Sequence, residues 1–445
     1  MIWGETMEYK LSRFTKLYEF PDSRNIIYSF LTGAAALLNN DVYKSFANGS
    51  FDALKPDYIK TALDCGFIIP KELDETKLII TALDRKKYDS ENVSITFIPT
   101  LNCNFRCPYC YQGLSTHKKE VISEQTIDKS IEFINKIIGK RTRKLTLVLY
   151  GGEPLIVMDK CIYFLSKVFE LFKDSNIELS SFLFTNGYYA TEENIRKLKM
   201  FNLKWCQITL DGPPSIHDIR RFEPNGDPSF ERIVENIKKI PGDISILLRC
   251  NIDSHNIDYL GDLYDILKKE GLLKRVKFSP APVTNNPENK SYNNSYCIPL
   301  TKEGKPYFLK ILKTFEAKGF KKEIPDSFIT LGGLCSHHMY YSFTIDPKGD
   351  IYTCPGVVGN EHFRIGNVQD KENCLLDHGY SYLKGETTSI WKNENCLQCC
   401  YLPRCLAGCQ EVANSIDYEF GGEKSLCLKE FYDEIYPYLI KIKFL

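Results

Sequence analysis

The sequence predicts an α/β protein: a partial, TIM-like (β/α)6 barrel with a winged-helix-like module before it and a cysteine-rich region after it. Three observations predict this. Between residues 91 and 283, β-branched runs alternate with amphipathic runs at helical spacing, and strand–helix repetition builds a parallel sheet. Before residue 91 the pattern is a pair of alternating runs with short helical segments. From residue 331 onward cysteines recur at a new, regular spacing.

In residues 1–90, RFTKLYEF and NIIYSFLT alternate as two strands split by the turn-like PDSR. Helical patterns follow near residues 35–46 and 50–65, then the apolar GFII, then KELDETK, which reads as the start of a linker. Two readings stand for this segment: a small winged-helix-like module, or an extra layer on the domain that follows. Cys65 has apolar neighbours and reads as an inert core residue.

From 91 to 283 the strands are VSITFIP, KLTLVLY, SSFLFTNG, KWCQITLDG, SILLRCNID and RVKFSPAPV. Helices fall between them. One begins at Ser123, a good N-cap, and another at Thr191, followed by Glu192 and Glu193 in a first turn whose dipole favours negative charge. Residues 284–330 form a bridge: an Asn-rich surface loop, with Cys297 carrying no motif, and a helix over LTKEGKPYFLKILKTFEAK.

A chain of 445 residues is long enough for two or three domains. Its formal net charge of zero, with no basic run, gives no support for a nucleic-acid partner. It shows neither a signal-peptide h-region nor 18 consecutive apolar residues, so a cytoplasmic protein without a membrane partner is expected. In a reducing compartment 17 cysteines, an odd number, point to metal or redox chemistry rather than a disulfide framework.

The densest chemistry is TLNCNFRCPYCYQG, where Cys103, Cys107 and Cys110 form CxxxCxxC with Tyr109 before the last cysteine. Iron–sulfur clusters are normally held by four cysteines, so a compact triplet leaves one iron open for a substrate or cofactor. A buried structural trio or a zinc site is the plain alternative, although zinc sites usually have paired CxxC and four ligands. The triplet, placed after a β-branched strand, resembles the signature of the radical SAM enzymes. The resemblance implies a 4Fe–4S cluster whose open iron is chelated by S-adenosylmethionine (SAM). One electron then cleaves SAM to methionine and a 5′-deoxyadenosyl radical that abstracts hydrogen; the cofactor does the hard chemistry and the protein orients it.

Further motifs sit at the strand ends, where β/α barrels carry their chemistry. In Gly151-Gly152-Glu153-Pro154 the glycines permit a close backbone approach to a ligand. The resemblance makes this the loop that binds the SAM amino group, with Glu153 shaping it, and places Thr185-Asn186 beside SAM. Thr209-Leu210-Asp211-Gly212-Pro213, followed by His217-Asp218 and Arg221, resembles the LDGP…HD..R motif of peptide- and protein-modifying members. There Thr209 and Arg221 match positions that contact SAM, a guanidinium pairing well with its carboxylate or ribose oxygens. A loop ordered by an Asp211 turn is the alternative. His217 reads as a brace, and Arg249 as a further barrel-top candidate with a weaker claim.

In the last region Cys335 is followed after thirteen residues by Gly349 and after four more by Cys354. Then come Cys396, Cys399, Cys405 and Cys409, a Cx2Cx5Cx3C run, and Cys427 after seventeen residues. The array resembles the SPASM pattern, which implies two further 4Fe–4S clusters and so three in all. By resemblance Cys335, Cys354 and Cys409 ligate the first, and Cys396, Cys399, Cys405 and Cys427 the second. The first lacks an obvious fourth ligand: Cys374 and a substrate thiolate are both open. Cys400 reads as a bystander. TIDPKGDIYTCPG reads as a hairpin turning at Lys348-Gly349 and presenting Cys354. In sulfatase-maturing relatives an aspartate follows this cysteine as the base; here Pro355 cannot take a proton.

The resemblance covers residues 91–445 and implies a maturase that cross-links a ribosomally made precursor peptide through thioether or C–C bonds. It implies a leader peptide held by residues 1–90 and a reductant such as flavodoxin or ferredoxin. A protein-modifying enzyme like the sulfatase maturases, and an iron–sulfur electron-transfer or binding protein, are the alternatives. No catalytic side chain is identifiable from the sequence.

Overall fold

The computed structural model describes residues 8–21, 24–52, 54–112, 120–284, 294–299, 302–319, 334–370, 393–406, 408, 419–420, 423–424 and 427–445. Cys374 and Cys409 lie outside the described residues. The chain divides into two compact units. One gathers the described parts of Met1–Lys86, Ile329–Leu334 and Thr388–Leu445, and the other those of Lys87–Phe328 and Cys335–Thr387. The cysteine-rich region, expected as one domain over 331–445, is thus shared between the two units.

In the first unit, strands β1 (Tyr9–Leu11) and β5 (Ile68–Pro70) pair antiparallel, and β2 (Thr15–Glu19), β3 (Asn25–Ser29) and β4 (Ala35–Leu38) form an antiparallel sheet in that order. The expected strand pair is β2–β3. The helix expected over 35–46 begins only at α1 (Asn40–Asn48), because the alanines and leucines before it pair with β3. Helix α2 spans Pro56–Asp64, and the supposed linker is helix α3, Glu75–Lys87. On one face of β3, Ile27 packs with Phe46, Phe51, Ala62, Phe67 and Ile68. Period-2 alternation sends Tyr28 to the other face, where Phe30, just past the strand, also stacks. There Tyr28 and Phe30 meet Tyr436 of the terminal helix Lys429–Phe444, and Phe30 also meets Tyr401, with ring centroids 4.7–6.2 Å apart. Arg404 donates from Nε to the Phe30 carbonyl at 2.9 Å.

The second unit is built on one nine-stranded sheet. Strands β6 (Asn92–Phe97), β7 (Lys144–Leu149), β8 (Glu178–Phe184), β9 (Leu203–Thr209), β10 (Ser245–Ile252) and β11 (Val276–Pro282) lie side by side in sequence order, all parallel. These are the six expected strands of the partial barrel. Helices α4 (Glu124–Ile137), α5 (Met158–Leu171), α6 (Glu192–Lys199), α7 (Pro214–Arg220), α8 (Phe230–Lys239) and α9 (Leu260–Lys269) connect them. Ser123 and Thr191 cap α4 and α6 as expected, accepting from Thr126 N and Asn194 N. Alternate strand residues, among them Ile95, Leu147, Leu183, Ile208 and Leu248, are fully buried, while most of their neighbours on the opposite face stay half-exposed. Helix α10 (Lys305–Ala317) matches the helix expected in the bridge.

The expected hairpin also forms: β12 (Ser342–Ile345) and β13 (Asp350–Tyr352) turn at Gly349, whose φ of +83° suits glycine. Beyond the expectation, β12 adds parallel to β6 and β14 (Arg364–Asn367) follows β13, so the segment carrying Cys354 extends the barrel's own sheet. Among the described residues no helix is long and apolar enough to cross a membrane.

Candidate functional site

The three-cysteine loop leaves β6 and is fixed by the loop after β7. Gly152 N donates to Thr100 O at 3.1 Å and Glu153 N to Asn102 O at 2.9 Å. A Cβ on Gly151 would meet Thr100 O at 2.4 Å, and one on Gly152 would meet Asn102 O at 2.2 Å. The sequence reading assigned these glycines to approach by a ligand; the backbone that comes close is the cysteine loop's own. Gly151 also has φ +138°, which L side chains rarely adopt.

Glu153 is fully buried and ties three strand ends together. Its carboxylate accepts from Leu155 N at 3.1 Å, Thr185 Oγ1 at 2.8 Å and Asn186 N at 2.7 Å. Burial pushes its pKa up to about 7, against the pull of these donors. Asn186 in turn donates through Nδ2 to Asn104 Oδ1 at 2.8 Å, and the same nitrogen lies 3.8 Å from Cys103 Sγ. The GGEP and TNG motifs thereby become one frame around the first cysteine.

The LDGP segment builds the opposite side. Asp211 is fully buried; it accepts from Tyr109 OH and from Asn251 N, the latter at 2.8 Å. Arg221 donates to Tyr109 OH at 2.6 Å and stands 3.8 Å from Asp211. Arg220 pairs with Asp253 at 2.9 Å and lies over the Tyr109 ring. Thr209 ends β9, 7% exposed and in register with Arg249 on β10. Sequence reasoning missed Arg220, Asp253 and Asn256, the last of which donates to Asp211 O at 2.7 Å. The adjacent Arg-Arg pair was the available signal.

His217 braces this cluster. Ser229 Oγ donates to Arg221 O, so His217 Nε2 donates to Ser229 Oγ at 3.0 Å, and Nδ1 accepts from Asp211 N at 3.2 Å. Burial, then Arg221 and Arg220, hold its pKa well below 6.5, so the ring is neutral. The unfolded chain takes up this proton near pH 6.5 and the folded one resists it. Stability is therefore full above pH 6.5 and falls as pH drops below it. We expect the unfolding midpoint to decline below pH 6.5, and His217→Gln to flatten that slope in a pH series of thermal melts.

Burial raises the Cys103 and Cys107 thiols to about 12 and about 11, while the Arg221 charge opposes the rise at Cys107. Thiols in this setting ionise readily only against added positive charge, which cluster iron would supply. Three such sulfurs on one short loop, held by backbone and beside a buried guanidinium, fit a cluster with one open iron. Among the described residues no group of three or more His, Cys, Asp or Glu converges on a single-ion site.

Cys354 is in the same unit, its Sγ accepting from Gly356 N at 3.3 Å, and Cys335 Sγ lies 3.2 Å from His338 Nδ1. Tyr111 donates to Tyr150 OH at 2.9 Å; burial raises both phenols, and Cys110 and Cys354 add to the rise. In the other unit Cys396, Cys399 and Cys405 lie along 393–405. Burial raises the Cys427 thiol, and Cys399 adds to the rise. Cys400, expected as a bystander, hydrogen-bonds Cys399 and draws that thiol down to about 6.

A model of the radical SAM superfamily matches residues 97–286. A cysteine-type anaerobic sulfatase-maturating enzyme of Clostridium perfringens is 25% identical over 366 residues, 76% of this chain and 95% of its own. The radical SAM cyclopropyl synthase TigE of Paramaledivibacter caminithermalis is 21% identical over 436 residues, 91% of this chain and 85% of its own. The structure of native anSMEcpe with bound AdoMet and Cp18Cys peptide superposes with a TM-score of 0.60 at 20% identity, over 79% of this chain and 98% of that one, so the two share a fold. The three-thiol loop, its frame of strand-end motifs and these similarities lead to one statement: the chain is an enzyme that carries a radical SAM domain over residues 97–286.

Proposed function

We propose that the enzyme cross-links residues of a ribosomally made precursor peptide, by thioether or C–C bonds. The observation that carries this reading is that Cys110, on the three-thiol loop, and Cys354, after the added hairpin, both act electrostatically on one hydrogen-bonded tyrosine pair, Tyr111–Tyr150. When bound, SAM and its cluster would supply a hydrogen-abstracting 5′-deoxyadenosyl radical, and a second cluster would supply an electron acceptor. Cys103, Cys107 and Cys110 would hold the first cluster. Cys335 and Cys354, with Cys409 outside the described residues, would hold the second, and Cys396, Cys399, Cys405 and Cys427 a third. Gly151, Gly152 and Glu153 shape the SAM-amino side; Thr185, Asn186 and Thr209 line it. Arg221, oriented by Tyr109 and Asp211, offers its charge to the SAM carboxylate or ribose.

The chain's N-terminal sheet supports a leader-binding role. Among the described residues its edge strand β4 pairs with β3 alone and exposes 61% of Leu37, and an extended peptide adds to such an edge through main-chain hydrogen bonds. Flavodoxin or ferredoxin would reduce the clusters. The similarity to sulfatase maturases favours action on a protein as the second reading, against which stands Pro355 where a basic carboxylate is needed.

The test is anaerobic. Reduced, cluster-loaded protein with SAM should release 5′-deoxyadenosine, and Cys107→Ala should release none. Where a short open reading frame is encoded beside this chain, adding its product should give a peptide lighter by two hydrogens per cross-link. Turnover of SAM with such peptides left unaltered, and a sulfatase-derived peptide oxidised instead, would reject the reading in favour of the second one.

A further inference from the structure

Arg249 is left over from the site already described. On β10, Leu248, Cys250 and Ile252 are at most 2% exposed and face the helices; Arg249 and Asn251 alternate to the inner face of the sheet. The other deeply placed arginines of the barrel are matched by acids, Arg220 by Asp253 and Arg221 by Asp211. Among the described residues Arg249 makes one side-chain hydrogen bond, from Nε to Asn251 Oδ1 at 3.0 Å, and no carboxylate comes within ion-pair distance. Desolvation pulls its pKa below the ordinary arginine value, outweighing the opposite pull of Tyr150 and of the Asp211 carboxylate that Arg221 already faces. A charge in such a place is costly unless it is paired, and its fork of donors matches a carboxylate.

Aromatic walls stand near it. Tyr150 bears on its charge. Tyr150 packs on Phe184 at 4.9 Å, and Phe184 on Trp205 at 5.2 Å, all three half-exposed on the inner face. Such walls suit the methylene stem of an acidic side chain. Arg221 is the guanidinium whose charge bears strongly on Cys107 and Tyr109, at the three-thiol loop. Arg249 feels Asp211 and Tyr109 as well, but it also bears on Tyr150, which answers to both Cys110 and Cys354. We infer that Arg249 is a specificity-determining residue that receives the side-chain carboxylate of an acidic residue in the substrate peptide. This rests on the peptide-modifying reading and names part of its substrate: an Asp or Glu close to the residue attacked.

Carboxylate could come from SAM as well as from peptide, and equilibrium binding separates the two. The probes are N-acetylated, C-amidated Gly-Gly-Xaa-Gly-Gly peptides, with Xaa Glu or Gln, titrated calorimetrically into cluster-loaded, SAM-bound enzyme under anaerobic conditions. The Glu peptide should bind the unaltered enzyme about tenfold or more tightly than the Gln peptide, the scale on which sites built for a polar group reject its analogue. In Arg249→Gln the ratio should fall to about one. Arg249→Lys keeps the charge without the fork and should retain part of the preference; it carries the test should the Gln variant fail to load clusters. Equal or undetectable binding of the two peptides by the unaltered enzyme overturns the inference, as does a preference that survives in Arg249→Gln. A tenfold loss of SAM affinity in that variant overturns it too, assigning the anion to SAM. Peptide-free release of 5′-deoxyadenosine is scored separately, so failure of the radical chemistry is distinguishable from failure of this site.

Discussion

Gly152→Ala is expected to abolish cluster loading while Gly139→Ala leaves it intact. The added methyl would sit 2.2 Å from Asn102 O and 2.5 Å from Leu101 O, both main-chain atoms of the loop that leads to Cys103. No side-chain rotation relieves such a contact, so either the cysteine loop or the loop after β7 must move. Overpacking of this kind costs about 1–3 kcal/mol where backbones can shift, and at about 1.4 kcal/mol per tenfold the lower figure already weakens SAM binding several-fold. The displacement acts directly on the thiols, so loss of the cluster's visible absorbance is the expected reading. Gly139 has nothing within 4 Å of its would-be Cβ, and its substitution tests whether any glycine-to-alanine change in the barrel has the same effect. Retention of the chromophore and of SAM affinity in Gly152→Ala would show that the packing of these two loops does not set the site.

Asp211→Asn is expected to be the most destabilising isosteric change in the barrel. The carboxylate takes hydrogen bonds from Tyr109 OH and Asn251 N and is the anion facing Arg221. The asparagine amide turns one acceptor into a donor and leaves Arg221, 8% exposed, facing no charge. Removing one partner of a buried ion pair costs about 3–5 kcal/mol. The apparent melting temperature of the loaded enzyme should drop accordingly, and SAM binding should weaken with it because Tyr109 and Arg221 lose their common anchor. Asp258→Asn, on an exposed pair with Lys310, should move neither by a measurable amount. An Asp211→Asn enzyme as stable as the parent would mean that Arg221 is satisfied by something other than this carboxylate.

Local pattern carried most of the barrel. The six strands, the Ser123 and Thr191 caps and the turn at Gly349 are each written within a few residues, so period, cap chemistry and turn residues sufficed. Where the reading failed, a distant partner decided. Residues 35–38 are alanines and leucines, good helix formers, yet pairing with β3 makes them a strand. The charged run at 71–77 hid a cap: Asp74 Oδ1 accepts from Thr76 N and Lys77 N at the head of α3. Nothing local announces that β12 will lie beside β6, or that residues 388–445 will join the N-terminal unit. At the site, motifs identified Glu153, Asp211 and Arg221, but the reason for Gly151 and Gly152 is a contact across 50 residues of chain, which spacing does not encode.

The stacking of Tyr28 and Phe30 on Tyr401 and Tyr436 has a consequence for biosynthesis. One face of β3 meets these partners only after some 400 further residues have been translated. At about 5–20 residues per second that is an interval of tens of seconds, during which an oily surface stands bare in the nascent chain. Holdase binding should therefore concentrate on the first thirty residues, and ribosome-stalled chains ending before residue 430 should be captured far more readily than finished ones.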